Sequence, residues 1–446
     1  MVMAAPPSPP GPPGNLLLGH LLELNRDHLG FVHDCVRRYG DAVLIRFGRR
    51  PVVVINDPRD VEYVLVTNQR NFSKGYFYRL LAPAVGNGLL TSEGDFWRRQ
   101  RRLAQPAFHQ QRINAYAETM SKYSQKSMES WRAGEQRDVQ DDLMRLTLRI
   151  VGRTLFGADL EESAPVVARA LPRALAEMNK QITGPEFMLP GGVPTPSRIR
   201  LRRAVAQLDP VVFRLIAQRR ANPHDTGDLL SALLGAQDED GQMTDRQLRD
   251  EAMTIVLAGH ETTAVALTWA LYLLSQNPDV RARLEEEVDT VLSGRPPTLS
   301  DVASLPFTDA VLTETMRLYP PAYGFGREVI ERCNVAGYEL EPRTSLYIVP
   351  WIIHRDPRWF DEPECFRPGR WLDGLAKRLP RFAYFPFGGG PRLCIGQQFA
   401  KLEGAIILCS IVQRWRLDLA PGQGTEPKPA ITLRPRDGMR MTVTAR

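Results

Sequence analysis

Cysteine is scarce in this chain of 446 residues: Cys35, Cys333, Cys365, Cys394 and Cys409 are widely spaced and form no CxxC pair. That pattern excludes a disulfide framework and a zinc ribbon. No apolar run reaches the ~18 residues that would span a bilayer. The opening MVMAAPPSPPGPPG has neither a basic segment nor an apolar one, so it is not a secretory signal. Only residues 1–5 precede its prolines, so no transmembrane anchor is expected, and a cytoplasmic, soluble protein is. Charge of one sign is also lacking. Lys and Arg exceed Asp and Glu by 57 to 51, and the excess is scattered along the chain. A scattered excess argues against nucleic acid as a partner, but suits docking of an acidic protein. The remaining composition, 43% hydrophobic and 24% charged, is that of a globular protein.

Periodicity and punctuation predict mostly helix. A helix over 26–39 stops at Gly40. Strands at 42–47 and 51–55 read as a hairpin around Gly48. A helix over 57–67 carries Pro58 in its first turn. Residues 72–93 form a long aromatic loop. Helices then run to about 235, broken by a Pro- and Gly-rich loop at 183–197. The longest helix covers 244–277, with Thr244 and Gln247 as a capping box and Pro278 as its stop. A helix near 309–319, strands within 337–349 and a last helix over 397–414 follow. Two closing strands flank Arg436, Asp437 and Gly438. Strand-rich pieces lie at both ends of the chain and are expected to share one sheet region. The expectation is a mainly α protein with a small β lobe (α+β). It comprises a proline-rich lead-in over 1–14 and a single domain over 15–446.

FPFGGGPRLCIG, residues 385–396, carries the chemistry. Three glycines, a proline and an arginine present one cysteine, Cys394. Gly388, Gly389 and Gly390 would let the backbone approach a flat ligand without Cβ clashes, with Gly396 doing the same on the far side. The helix starting near Gln397 would favour the thiolate through its N-terminal dipole. Arg392 could pair with an anionic edge of the ligand. A lone cysteine offered this way fits an axial haem ligand better than a four-ligand zinc site. A P-loop would need GK[ST], which is absent.

Phe387, Gly390, Arg392, Cys394 and Gly396 follow FxxGxRxCxG, and the stretch resembles the haem-binding loop of the cytochrome P450 family. Other stretches match in order. ETMR places Glu314 and Arg317 three apart on one helix face, and resembles the family's ExxR. FRPGRW supplies Arg370, the third member of the buried triad that the resemblance implies. AGHETT, 258–263, puts Glu261 and Thr262 inside an apolar helix and resembles the oxygen-activating motif. The resemblance implies that Thr262 steadies dioxygen and its water and that Glu261 relays protons. His260-Glu261 is not a zinc-protease motif, because Ala264 stands where the second histidine would be. Trp97 and Arg101 share a helix face and could offer an indole N–H and a guanidinium to a carboxylate. The resemblance assigns them, with Arg327, to haem propionates; His354, in IIHRDP, also matches a family element and is read as structural.

The fold implied is that of a cytochrome P450, with haem b (iron protoporphyrin IX) between the long central helix and the helix after Cys394. The activity implied is a haem-thiolate monooxygenase that hydroxylates or epoxidises a lipophilic small molecule with O2. No flavin or nicotinamide fingerprint appears, so two electrons must come from a ferredoxin or flavodoxin with its reductase. Arg98, Arg99, Arg101 and Arg102 suit such docking. A peroxygenase or isomerase of the same fold, and a non-catalytic haem ligand-binding protein, are the alternatives. Both would gain little from Glu261 and Thr262. The expected pocket includes Tyr76, Phe77, Ala258, Tyr323 and Phe325, with Phe187, Met188 and Leu189 in the 183–197 loop. A monomer is expected.

Overall fold

The computed structural model describes residues 8–157, 165–183, 186, 189, 193–222 and 225–446. Helix α1 (His28–Tyr39) begins where the Asp27 side chain accepts from the Gly30 amide, and ends at Gly40. The single helix expected from 26 is split, because the Asp27 backbone is extended and caps α1 rather than continuing Leu21–Arg26. Strands β1 (Ala42–Phe47) and β2 (Arg50–Ile55) form the expected hairpin. Pro58–Glu62 is helical, but Tyr63–Thr67 widens into a π-helical turn.

Strands β3 (Phe325–Val329) and β4 (Ser345–Ile348) join that hairpin in one sheet of order β1, β2, β4, β3, with Phe72–Ser73 at its edge. Val53, Ile55, Leu346 and Ile348 fill the apolar layer beneath it. The closing strands do not join this sheet, contrary to the expectation of one shared region. Strand β5 (Trp415–Leu419) follows the last helix. Strands β6 (Pro427–Pro429) and β7 (Leu433–Pro435) pair with each other. Strand β8 (Arg440–Ala445) pairs with β5 on one side and with Gln136–Asp138 on the other. Register explains the split. Trp415 already faces Ala445, so the terminal strand is taken up close to where the last helix ends.

The helices build the larger core. They include α2 (Gly94–Ala104), α3 (Val139–Phe156), α4 (Pro165–Thr183), α5 (Pro196–Ala221), α6 (Asp245–Gln276), α7 (Pro306–Leu318) and α8 (Gln397–Val412). The start of α6 is the capping box read in the sequence. Thr244 Oγ1 accepts from the Gln247 amide, and Gln247 Oε1 accepts from the Thr244 amide. Helix α6 packs on α3, α7 and α8, which places it at the centre of the molecule. Among the described residues no helix is long and apolar enough to cross a membrane.

Candidate active site

Most of α6 is buried, yet one stripe stays accessible: Ile255, Ala258, Gly259, Thr262 and Ala266. That spacing follows a single helix face. Accessible side chains in the middle of a central helix mark the wall of an internal space. Thr262 Oγ1 donates to the Ala258 carbonyl at 2.6 Å, so the stripe holds a hydroxyl folded back on its own helix. Cys394 is likewise open in surface area although protein surrounds its thiol. Burial raises the Cys394 pKa. The Gly396 amide and the charge of Arg101 pull it down.

The loop presenting Cys394 is closed by its own backbone: the Cys394 amide donates to the Phe387 carbonyl at 3.0 Å. Gly388 and Gly390 take φ of +72° and +64°, the left-handed region that glycine enters freely. Their partners differ from the sequence reading. A Cβ on Gly389 would strike the Phe382 ring, and one on Gly390 would strike the Leu65 carbonyl. These two glycines let the loop pack on protein rather than approach a flat ligand. At Gly396 a Cβ would meet only the Cys394 sulfur, at 3.9 Å.

Behind the loop lies a closed polar cluster. Glu314 and Arg317 are fully buried and paired at 2.9 Å, not solvated. Arg317 spends its remaining donors on the carbonyls of His354, Pro363 and Cys365. Glu314 also accepts from Arg370 Nε at 3.1 Å, from the Arg367 amide at 3.0 Å and from Trp371 Nε1 at 2.8 Å. His354 Nε2 accepts from the Phe385 amide, and burial drives the ring pKa down to about 3, so it stays neutral. The cluster thereby fixes the first residue of the cysteine loop. Trp371 was missed in the sequence, although it follows Arg370 directly.

Several cations gather near the loop with few counter-charges. Arg392 stacks on the Trp97 ring at 3.8 Å, donates to the Ser92 carbonyl and pairs with Glu93. Arg101 donates to the Leu393 carbonyl at 3.0 Å. Lys74, missed in the sequence, donates to the carbonyls of Leu89 and Leu90. Burial pulls its pKa down to about 6, and repulsion from Arg392 and Arg327 adds to this. Trp97 and Arg101 therefore both face the cysteine loop, though Trp97 lies under Arg392. Arg327 sits on β3 over the Phe325 ring and donates to the Gly326 carbonyl.

Glu261 turns away from the open stripe. It is buried, and its Oε1 accepts from Thr432 Oγ1 at 2.8 Å. Desolvation raises its pKa, against the Thr432 hydrogen bond and the charge of Arg434. Of the expected pocket residues, Ala258 lies on the open stripe. Tyr76 donates to the Leu189 carbonyl at 3.3 Å under the Arg50 guanidinium. Phe77 packs edge-on to Tyr78, and Phe325 edge-on to Phe385. Tyr323, expected in the pocket, is instead buried with Leu29 and Leu433, and its hydroxyl donates to the Ala430 carbonyl, so it packs the core. Phe187 and Met188 lie outside the described residues.

A family model for cytochrome P450 matches residues 9–442. The chain belongs to the cytochrome P450 family. Cyclooctatin synthase of Streptomyces melanosporofaciens is 40% identical over 94% of this chain and 92% of its own. Pentalenene oxygenase of Streptomyces avermitilis is 35% identical over 96% of both. Cyclooctat-9-en-7-ol 5-monooxygenase of Streptomyces melanosporofaciens is 36% identical over 94% and 92%. A cyanobacterial P450, CYP120A1 with retinoic acid bound, superposes with a TM-score of 0.89 at 27% identity, over 99% of this chain and 100% of that one. The protein is a P450 monooxygenase, and the family implies haem, O2 and a redox partner. The residues present fit haem: a thiol with accessible surface, an accessible helix wall, and the Arg101 and Arg392 guanidinium groups able to take carboxylates.

One further buried acid affects stability. Glu403 on α8 is fully buried beside Thr263 of α6, and burial pushes its carboxyl up to about 8. The folded state thus holds a proton that the unfolded chain releases above about 4.5. Stability from this group falls as pH rises from about 4.5 to about 8, then levels. Glu403→Gln is expected to gain on wild type across that window. Thermal unfolding of both proteins from pH 4.5 to 9 checks this, and parallel curves would contradict it.

Proposed function

We propose that this P450 hydroxylates or epoxidises a lipophilic terpenoid bound against the open stripe of α6. The observation that carries it is that stripe: small or apolar side chains with one hydroxyl, Thr262, on a helix otherwise buried. The relatives' names, which point to cyclooctatin-type and pentalenene substrates, support the terpenoid class. Cys394 would hold haem b (iron protoporphyrin IX) through its thiolate. Phe387 and Gly396 shape its loop, and Trp97, Arg101, Arg327 and Arg392 would hold the propionate edge. Tyr76, Phe77, Ala258 and Phe325 border the substrate. Haem, when bound, supplies oxygen activation and transfer of one oxygen atom to the substrate.

The chain's own residues do the rest. The apolar wall excludes bulk water, Thr262 holds a water in place, and Glu261 takes up and passes protons. The electron donor is a ferredoxin or flavodoxin with its reductase, and the enzyme works as a cytoplasmic monomer. Arg98 and Arg102 are well exposed beside Arg101, which supports docking of an acidic donor. Arg102 already pairs with Asp238 and Arg98 with Asp95, which moderates the field.

The test is turnover of pentalenene and of lauric acid with NADPH, ferredoxin and ferredoxin reductase. A product one oxygen heavier from pentalenene, with little from lauric acid, is expected. The reverse preference would overturn the terpenoid reading. Thr262→Ala is expected to keep electron consumption while product falls about tenfold and peroxide rises. Unchanged coupling would remove Thr262 from proton handling.

A further inference from the structure

Residues 430–433, where the chain turns from β6 into β7, are held by groups from three separate parts of the chain: α4, α6 and the segment 321–323. Tyr323 Oη donates to the Ala430 carbonyl at 3.0 Å. The Ile431 amide donates to Asn179 Oδ1 on α4 at 2.8 Å. Thr432 Oγ1 donates to Glu261 Oε1 at 2.8 Å. Trp269 Nε1 donates to the Leu433 carbonyl at 2.7 Å, and the Leu433 amide donates to the Pro321 carbonyl at 3.0 Å. Glu261 and Trp269 lie eight residues apart on α6, close to one helix face. The turn is therefore braced along α6 at two points, one of which is the acid.

We propose that Thr432 is a positioning residue for proton delivery: its hydroxyl fixes the Glu261 carboxyl through Oε1 and leaves Oε2 to take and pass the proton. The proposal rests on the proton role of Glu261 given above. A buried carboxyl without that donor would be free to rotate and would lose its hydrogen bond. Tyr323, Asn179, Trp269 and Pro321 set the turn, so the position of Thr432 does not depend on Glu261 itself. The step balances simply. Glu261 gives one proton and regains one from solvent, and Thr432 keeps its own.

The test uses the haem-loaded enzyme with its electron donors and four variants: Thr432→Val, Thr432→Ser, Glu261→Gln and the Val–Gln double. Thr432→Val is expected to lower product per NADPH about tenfold, the scale of one lost hydrogen bond. The solvent deuterium isotope effect on turnover should grow, and Thr432→Ser should restore both values. The double variant should be no worse than Glu261→Gln alone, because Thr432 acts through Glu261. A readout independent of turnover is the infrared carboxyl band that disappears in Glu261→Gln. It should move to higher frequency in Thr432→Val.

Wild-type coupling in Thr432→Val, or additive losses in the double variant, would overturn the positioning role. A Glu261→Gln enzyme with wild-type coupling would instead sink the underlying role of Glu261, and the proposal with it.

Discussion

Glu314→Ala is expected to cost about 3–5 kcal/mol of stability and to abolish haem retention. The carboxylate is fully buried and takes hydrogen bonds from Arg317, Arg370, the Arg367 amide and Trp371. Removing it leaves the buried Arg317 guanidinium without its counter-charge. The damage spreads because Arg317 also grips the His354 carbonyl, and the His354 ring grips the Phe385 amide at the start of the cysteine loop. Glu314→Gln keeps the shape and one acceptor, so a smaller loss is expected. Urea unfolding of the variants and their haem content after purification check this. A Glu314→Ala protein within about 1 kcal/mol of wild type would contradict the role given to the cluster, since losses that small belong to exposed pairs.

Cys394→Ser is expected to abolish monooxygenase turnover while leaving the fold intact. The loop closes through the Cys394 amide and the Phe387 carbonyl, a bond that serine keeps. What changes is the donor atom: a serine hydroxyl does not offer the soft, electron-rich thiolate that suits this iron chemistry. Helix content by circular dichroism should match wild type, and product should fall below detection. Residual turnover at a tenth of wild type or more would show that the thiolate is not the essential ligand.

The parts of the site that are local in sequence were legible there. Glu314 and Arg317 share one helical turn, Arg370 follows in a compact motif, and the Cys394 loop is continuous. The capping box at Thr244 was legible for the same reason, since both partners lie within one turn. What could not be read was set by partners far along the chain. Thr432 stands 171 residues from Glu261, and no local pattern announces their hydrogen bond. Gly389 and Gly390 were expected to clear room for a ligand, but their neighbours are Phe382 and Leu65, which only tertiary packing brings near. Tyr323 carries the sequence features of a pocket aromatic, but its hydroxyl is committed to the Ala430 carbonyl. The closing strands were recognisable as strands, yet their pairing depended on β5 and on Gln136–Asp138. Lys74 carried no signal, because a lone lysine in a loop is ordinarily solvated.

The most direct test of the central claim, that Cys394 is the thiolate ligand of a bound haem, is the absorbance difference spectrum of dithionite-reduced protein with and without carbon monoxide. A strongly red-shifted Soret band is the predicted result. A shorter-wavelength band, typical of a neutral ligand opposite carbon monoxide, or no haem signal after reconstitution, would contradict it.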